Sequence, residues 1–481
     1  MQHRKLSRLE FFEGPSFMNH EINVVILAAG KGTRLGVDTP KPLLTFQRTN
    51  LIGQVLNQVS KLYGQFNIKI SIIIGHKKEQ VKDYVNSSGC LKDVEYIYQD
   101  QQLGTGHAIA EYLKQTKNKS DLVLILCADT PLITTKSLVE LIKYKLDHKH
   151  LASGLSFVTI VPFGYGRIKR LDGYPGISIV EEKDANEIEK KITEVNSGIY
   201  LVDRHYLSEK ITKLDNNNKS GEFYLTDIMD KNRPCGFLSI PNGMNIFLGV
   251  NTMKQLEEVE KISRLERIND LMKNGVHFID ANNVYIDLDV EIESGSTIMP
   301  NVHLRGKTKI KSNVLIETGS IITNSEIEKG AQILPYTIVE DSTICEGSAV
   351  GPFARIRPGS VIGQNCKVGN FVETKKSNLK AGSKVSHLSY VGDAEIGENT
   401  NIGCGFITCN YDGKNKHKTI IGSNCFIGSD SQMIAPVKIG NDCFVASGST
   451  INSDLKDGDF AISRTRQITK EGMAKKFLKN K

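Results

Sequence analysis

The chain has 481 residues, of which 39% are hydrophobic and 24% are charged, and its net charge is +7. This length is too great for one ordinary core, so we expect two globular domains. No apolar run reaches the roughly 18 residues of a membrane span, and the basic residues are dispersed apart from the tail AKKFLKNK. The composition therefore predicts neither a membrane span nor a nucleic-acid partner.

The amino-terminal segment MQHRKLSRLEFFEGPSF lacks the apolar core and cleavage site of a secretory signal. Because Met18 stands directly before the first strand pattern, we expect residues 1–20 to be a disordered extension, or translation to start at Met18. The nine cysteines form no CxxC pair and no His/Cys cluster at zinc spacing. Reduced thiols and a cytoplasmic location are the simplest interpretation.

Residues 21–250 alternate short apolar runs with amphipathic stretches: INVVIL, LIGQVLNQVSKLY, IKISIIIG, QVKDYV and DLVLILCAD. This rhythm predicts an α/β domain of the Rossmann-like kind, with a largely parallel sheet and helices on both faces. Ligands of such sheets bind beyond the carboxyl ends of the strands, where Leu27–Gly30 and Asp129 fall.

The stretch LAAGKGTRLG has the composition of a phosphate-binding loop. Its glycines allow backbone N–H groups to point at a ligand, and Arg34 and Lys41 supply positive charge. It is neither GxxxxGK[ST] nor GxGxxG, and alone such a turn can equally be structural. Asp129, after an apolar strand, is expected to be either a cap or a magnesium ligand, and the amides of QDQQLGTGHA suit the edge of a base.

Residues 251–274 have a helical period without Pro or Gly, and Gly275 is a suitable stop, so we predict a connecting helix. From residue 275 to 462 aliphatic residues recur every six positions, for example Ile292, Ile298, Leu304, Ile310, Ile316 and Ile322. This period predicts a parallel β-helix with one hexad per flat side, followed by a basic tail over 463–481. We expect the interruptions at 374–391 and 410–419 to project as loops, and the flat walls to be covered in a homotrimer.

Seven motifs in order resemble the uridylyltransferase domain of the GlmU family, bifunctional enzymes that make UDP-N-acetylglucosamine: LAAGKGTRLG, KPLL, QLGTGHA, GYGRI, IVEEKDA, VNSGIY and LGVN. The resemblance implies that Leu27, Ala28, Ala29, Gly30, Arg34, Lys41, Gln99, Gly104 and Thr105 bind the nucleotide. It implies a sugar pocket of Gly166, Glu181, Asn196 and Asn251, and an Mg²⁺ ion held by Asp129 and Asn251.

The second half resembles the acetyltransferase domain of the same family through GPFARIRPG, NFVETKKSNL, SHLSYVGDAEIG and CNYDG. The resemblance implies that His387 is the general base, a role that suits an imidazole with an ordinary pKa of about 6.5. The carboxylate of Glu373 could orient this imidazole. It also implies that Arg357, Lys375, Tyr390 and Asn401 bind the sugar phosphate, and that Cys404, Asn410, Tyr411, Ser429, Ser447 and Arg464 bind acetyl-CoA. Cys404 and Ser447 stand where the family usually has alanine.

The resemblance spans roughly Glu21 to Gly472 and implies an α/β chain with a nucleotidyltransferase domain, a connecting helix and a left-handed β-helix. The implied function is acetylation of glucosamine 1-phosphate by acetyl-CoA, then reaction with UTP to give UDP-N-acetylglucosamine and pyrophosphate. The product is a precursor of peptidoglycan and lipopolysaccharide.

Two alternatives stay open at the level of sequence. A single-activity nucleotidyltransferase with a structural or regulatory β-helix would not need His387, Lys375 and Tyr390 together. A non-catalytic scaffold of the same architecture should have lost Arg34, Lys41 or Asp129, and all three are present.

Overall fold

The computed structural model describes residues 20–47 and 49–478. The expected extension over residues 1–20 lies outside the described residues, except for His20. The chain divides into two compact units after Ser263, and this point falls inside one long helix, Met253–Lys273.

The first unit is an α/β domain. Its strands are β1 (Glu21–Ala28), β2 (Thr45–Phe46), β3 (Thr49–Asn50), β4 (Asn67–Ile74), β5 (Val94–Tyr98), β6 (Leu122–Cys127), β7 (Ala152–Val158), β8 (Arg167–Arg170), β9 (Ile177–Val180), β10 (Glu194–Asp203) and β11 (Cys235–Ser239). Its helices are α1 (Leu51–Ser60), α2 (Lys78–Ser88), α3 (Thr105–Gln115), α4 (Thr135–His148), α5 (Arg204–Ile211) and α6 (Gly243–Ile246), and α7 (Met253–Lys273) begins in it. Short 3-10 turns cover Thr33–Leu35, Lys41–Leu43, Glu189–Lys191 and Leu225–Ile228.

The main sheet has the strand order β11-β7-β10-β6-β1-β4-β5. All neighbours are parallel except β10, which runs antiparallel to β6 and β7. Successive residues of β1 enter opposite cores: Val24 and Ile26 pack on one face of the sheet and Val25 on the other. A strand buried on both faces reads as a continuous apolar run, and this explains INVVIL. The predicted largely parallel sheet is confirmed.

The second unit is a three-walled parallel β-helix. Wall A consists of His277–Phe278, Thr297–Ile298, Leu315–Ile316, Gln332–Ile333, Ala349–Val350, Lys367–Asn370, Lys384–His387, Asn401–Ile402, Phe426–Ile427, Phe444–Val445 and Phe460–Ala461. Wall B consists of Val284–Ile286, Val302–Arg305, Ile321–Thr323, Ile338–Glu340, Arg355–Ile356, Glu373–Lys375, Tyr390–Gly392, Ile407–Cys409, Gln432–Ile434 and Thr450–Ile451. Wall C consists of Glu291–Ile292, Lys309–Ile310, Glu326–Ile327, Thr343–Ile344, Val361–Ile362, Asn378–Leu379, Ala394–Ile396, Thr419–Ile421 and Val437–Ile439. Short 3-10 turns cover Ala281–Asn283 and Met473–Lys476.

The aliphatic residue of each hexad points into one continuous core, as its period predicts. Small buried polar side chains link one coil to the next at a corner of the prism. They are Ser348, Cys366, Ser383, Thr400, Cys425 and Cys443, which donate to the carbonyl groups of Gly363, Lys380, Gly397, Gly422, Gly440 and Lys456. Three buried cysteines thus replace hydroxyl donors in a structural role, which accounts for these thiols without a partner thiol.

The two expected loops have different outcomes. Residues 374–391 form regular coil, because Val368 pairs with Val385 and that strand pairs with Asn401–Ile402; the prediction of a loop there is wrong. The hexads break in the sequence because this coil takes 17 residues between register partners, whereas Val350 and Val368 are 18 apart. The loop over 410–419 is confirmed, and it is closed by a bridge between Tyr411 and Lys416.

Among the described residues no helix combines the length and the apolar character needed to cross a membrane.

Candidate active sites

A cleft of about 280 Å³ opens at the carboxyl ends of β1 and β6 and beside the start of α3. Nine of the predicted nucleotide and metal residues line it: Leu27, Ala28, Ala29, Gly30, Lys41, Gln99, Gly104, Thr105 and Asp129. The structure thus brings four separate stretches of the chain to one edge of the sheet.

Gly104 shapes this cleft because its backbone has a positive φ of 115°. A Cβ atom at this position would lie 2.6 Å from the carbonyl oxygen of Phe223, so a side chain would displace the segment that closes the cleft. The carbonyl group of Gly104 accepts a hydrogen bond from Gln99 Nε2 at 3.3 Å. Gln99 Nε2 also lies 3.1 Å from His107 Nδ1, which fixes the amide.

The two predicted metal ligands converge on one positive charge. Lys41 Nζ contacts the Asp129 carboxylate and lies 2.8 Å from Asn251 Oδ1, which also accepts from Arg34 Nη2 at 3.1 Å. A carboxylate and an amide oxygen that already enclose a cation are suitable hard ligands for Mg²⁺, which binds through one or two carboxylates, phosphates and water. The described residues contain no group of three or more His, Cys, Asp or Glu placed to hold a metal.

The predicted sugar residues form a second cluster. The Asn196 N–H donates to the Gly166 carbonyl at 2.9 Å, and a Cβ atom at Gly166 would lie 3.4 Å from Glu181 Oε1. Neither Gly166, Glu181 nor Asn196 lines the 280 Å³ cleft. Cys127 connects the two clusters, because it lines the cleft and its Sγ lies 4.0 Å from the carbonyl oxygen of Gly198.

Glu181 is electrostatically strained. Burial raises the pKa of its carboxyl group, and the negative charges of Asp227, Asp184 and Glu222 raise it further, against a hydrogen bond from Thr226 that lowers it. A carboxylate in this position stores unfavourable free energy that a bound hydroxyl or amide donor could relieve.

In the second unit, His387 lies exposed at the end of its wall A strand. Its Nδ1 lies 2.9 Å from Asn370 Oδ1. The carboxylate of Glu373 instead accepts a hydrogen bond from Arg357 Nη1 at 2.6 Å. The structure therefore places Asn370, and not Glu373, against the imidazole.

Three cationic side chains interact at the end of the wall B strand Glu373–Lys375. Lys375 follows Arg357 by one coil, and the ammonium group of Lys416 comes from the loop over 410–419. Lys416 and then Arg357 lower the pKa of Lys375 through like-charge repulsion. Such a group of cations favours a phosphate ligand.

Tyr390 lies on the next coil of wall B, and its ring packs over Gly392. A Cβ atom at Gly392 would lie 2.4 Å from the Tyr390 hydroxyl, so this ring position requires a residue without a side chain.

The predicted acetyl-CoA residues include a regular column at one corner of the β-helix. Cys404, Ser429 and Ser447 each stand two positions after Ile402, Ile427 and Val445, which are register partners in series. His387 and Asn370 occupy the same position after Val385 and Val368. We call Asn370, His387, Cys404, Ser429 and Ser447 the corner column.

The remaining predicted residues lie around this column. Arg464 Nη1 donates to the Ser447 carbonyl at 2.8 Å. Asn410 is buried and donates to Asp393 Oδ2 at 2.5 Å, whereas Tyr411 is exposed. Asn401 begins a wall A strand and is half-buried.

Sequence reasoning missed several residues that the structure places in the two sites: Gln102, Cys127 and Glu222 in the cleft, and Asn370 and Lys416 in the second unit. Gln102 and Cys127 lie within the quoted motifs, so their positions carried a signal. Asn370 also begins a quoted motif, NFVETKKSNL, but its contact with His387 follows only from the register of two strands. Lys416 could be found only from the fold of its loop.

Family models match both halves of the chain. A MobA-like NTP transferase domain matches residues 24–154. A bacterial transferase hexapeptide model of six repeats matches residues 341–376 and 418–453. With the cleft and the corner column, these matches define a nucleotidyltransferase joined to a hexapeptide-repeat acyltransferase.

Curated relatives match nearly the whole chain. The bifunctional protein GlmU of Clostridioides difficile (strain 630) is 43% identical over 94% of this chain and 97% of its own, and that of Staphylococcus haemolyticus (strain JCSC1435) is 42% identical over 94% and 99%. The bifunctional protein GlmU of Clostridium novyi (strain NT) is 41% identical over 95% and 99%. The chain belongs to the GlmU family.

The predicted fold class and function are confirmed by this membership: the chain is a bifunctional enzyme of UDP-N-acetylglucosamine synthesis, with uridylyltransferase and acetyltransferase activities. Nothing in the comparisons favours the single-activity alternative. A solved structure, HddC from Yersinia pseudotuberculosis, is 19% identical, covers 50% of this chain and 97% of its own, and has a TM-score of 0.37.

Proposed function

We propose that the cleft of the first unit transfers uridylyl groups from UTP to N-acetylglucosamine 1-phosphate, with the residue roles that the family resemblance implies. The observation that supports this most directly is the meeting of Arg34, Lys41, Asp129 and Asn251 beside the glycine-rich loop. Glu181, Gly166 and Asn196 would bind the sugar, and Gln99, Gly104 and Thr105 the uridine.

The reaction needs alignment and charge compensation from the protein, and no general base. The attacking phosphate is already anionic near neutral pH because its second pKa is about 6. Its oxygen forms a bond to the α-phosphorus of UTP while the bond to pyrophosphate breaks. Arg34 and Lys41 neutralise the departing charge, and the backbone N–H groups of the loop hold the phosphates. Mg²⁺, held by Asp129 and Asn251, would supply further charge stabilisation when bound.

In the second unit we propose that His387 removes a proton from the 2-amino group of glucosamine 1-phosphate. The nitrogen forms a bond to the acetyl carbon, the carbon–sulfur bond breaks, and the proton on the imidazole passes to the CoA thiolate. The cations Arg357, Lys375 and Lys416 would hold the sugar phosphate. The corner column beyond His387 would follow the CoA chain.

We further propose that the acetyltransferase site is completed in a homotrimer. Two ladders of stacked aromatic rings stand exposed on wall A and its corner: Tyr336, Phe353 and Phe371, with centroids 5.3 and 5.4 Å apart, and Phe426, Phe444 and Phe460, at 4.9 and 5.6 Å. Exposed apolar surface of this regularity favours contact with another copy of the chain. All nine cysteines are free, which supports the proposal of a cytoplasmic location.

A split assay on one purified sample tests both residue assignments. We expect His387→Ala to abolish CoA release from acetyl-CoA and glucosamine 1-phosphate and to leave pyrophosphate release from UTP and N-acetylglucosamine 1-phosphate unchanged. Asp129→Ala should do the reverse. Loss of both activities in either variant, with an unchanged unfolding temperature, would contradict the assignment of one residue to one site.

A further inference from the structure

The imidazole of His387 has one hydrogen-bond partner among the described side chains, and it is neutral. Asn370 Oδ1 lies 2.9 Å from Nδ1. An amide oxygen can only accept a hydrogen bond, so this contact requires the proton on Nδ1 and leaves the Nε2 lone pair free. That tautomer is the one a base acting through Nε2 needs.

The backbone fixes this contact before any ligand binds. Asn370 and His387 are register partners in parallel strands, and the Leu388 N–H donates to the Asn370 carbonyl at 3.0 Å. A Cβ atom at Gly369 would lie 1.9 Å from the Ser386 carbonyl oxygen, so only glycine permits the two coils to approach this closely. On the carboxyl-terminal side of His387, the Ser389 hydroxyl donates to the His387 carbonyl at 2.7 Å and fixes the backbone there.

The carboxylate of Glu373, which the sequence offered as one group that could orient the imidazole, is engaged elsewhere. Glu373 Oε1 accepts from Arg357 at 2.6 Å, which places its charge on the phosphate-binding side of the site. The other titratable side chains on the adjoining strands and corner are Lys367, Lys384, Tyr390 and Cys404.

We propose that Asn370 is the positioning residue of the acetyl transfer: its amide oxygen selects the Nδ1–H tautomer of His387 and aims Nε2 at the substrate amine. The inference deepens, and rests on, the proposed role of His387. A neutral partner also has a consequence that a carboxylate lacks. A carboxylate beside the imidazole would raise its pKa and keep more of it protonated near neutral pH, whereas an amide orients the ring without that effect.

Kinetics of four variants of the full-length chain test the proposal. For Asn370→Ala we expect the kcat of acetyl transfer to fall about 10- to 100-fold, as for loss of a group that orients a catalytic histidine. Both KM values should stay within about twofold, because Asn370 does not bind substrate in this account. Asn370→Asp should recover part of kcat and move the acid limb of the kcat/KM profile to higher pH, because the new carboxylate stabilises imidazolium. Asn378→Ala, the same change at an exposed asparagine on wall C, is the matched control and should behave as wild type.

The fourth variant, Glu373→Gln, separates the two candidate partners. It should raise the KM for glucosamine 1-phosphate and leave the acid limb in place. An acid limb that moves in Glu373→Gln but not in Asn370→Asp overturns the proposal, as does wild-type kcat in Asn370→Ala. If Asn370→Ala does not fold, the Asn370→Asp profile decides alone. Normal acetylation by His387→Ala would instead refute the proposed base, which is a separate result.

Discussion

At the scale of single residues, Lys41 stands where the metal is proposed to bind. Its ammonium group contacts the Asp129 carboxylate and lies 2.8 Å from Asn251 Oδ1. The charges of Lys41 and Asp129 therefore already neutralise each other. A metal ion held by Asp129 and Asn251 would take the place of this ammonium group, and Lys41 would then be free to bind the triphosphate. Metal and nucleotide binding are therefore expected to be coupled through one side chain.

The Lys41→Met substitution should uncouple metal binding from nucleotide binding. We expect Mn²⁺, used as a probe for Mg²⁺, to bind the variant more tightly than wild type in the absence of nucleotide, as measured by electron paramagnetic resonance. The kcat for uridylyl transfer should fall about 100-fold or more, because a charge that stabilises the leaving pyrophosphate is lost. Acetyl transfer serves as the internal control. Equal Mn²⁺ affinity in the two proteins would show that Lys41 does not occupy the metal position.

The raised pKa of Glu181, a residue of the proposed sugar site, has a consequence for stability. Its raised pKa means that the ionised carboxylate destabilises the fold above the pKa of the unfolded chain, and that protonation relieves this as pH falls through the raised pKa of the folded state. Glu181→Gln should therefore raise the unfolding temperature at pH 7, and the advantage should shrink as the solution is acidified.

The same variant should raise the KM for N-acetylglucosamine 1-phosphate about 10-fold, because a hydrogen bond that the substrate donates to a charged carboxylate is lost. Calorimetry at several pH values, with Glu187→Gln at an exposed carboxylate as control, measures the stability effect. A lower unfolding temperature for Glu181→Gln at pH 7 would contradict the electrostatic explanation.

At the scale of elements, the β-helix could be predicted because its inward residues recur regardless of what the corners contain. The prediction failed at 374–391, where the distance between register partners shortens to 17 residues. A fixed six-residue period cannot represent such a coil, although Val368, Val385 and Ile402 still point inward. The contact of Asn370 with His387 was missed for the same reason, since it depends on register and not on local sequence.

The loop over 410–419 brings the cation Lys416 to the proposed phosphate site, and neither the repeat period nor the composition could predict this position. We expect Lys416→Ala to raise the KM for glucosamine 1-phosphate about 10-fold with little change in kcat, as for loss of one charge-assisted hydrogen bond. Lys418→Ala removes a nearby charge that is bound to Glu395, and it is the matched control. If the two variants give the same KM, Lys416 does not contact the substrate.

At the scale of the whole molecule, the side chains predicted for each reaction lie within one of the two units. The α/β unit could be predicted from the alternation of apolar runs and amphipathic stretches. Its site could be predicted from the quoted motifs, because ligands of such sheets bind at the carboxyl ends of the strands. The sugar cluster lies outside the main cleft in the structure, and composition alone contained no sign of this separation.

The proposed trimer belongs to this scale. Light scattering should give three times the 53.3 kDa mass of the chain, and Phe353→Asp with Phe371→Asp should reduce it by placing charge on a ladder that we expect to be buried between copies. The dissociated variant should lose acetyl transfer and keep uridylyl transfer. A monomeric wild type would refute the proposal, and a monomeric variant with full acetylation would show that one chain suffices.

The corner column ends near the last coil, and this position affects how the enzyme loses activity on heating. In a stack of repeats each layer contacts only its neighbours, so unfolding begins at an end layer, which has a neighbour on one side only. Among the described residues the final strand, Phe460–Ala461, pairs only with Phe444–Val445, and Arg464 donates from beyond it to the Ser447 carbonyl. Fraying of that layer would disturb the proposed CoA contacts while His387, several layers away, keeps its geometry. Mild heat should therefore weaken binding of the acetyl donor well before the prism melts.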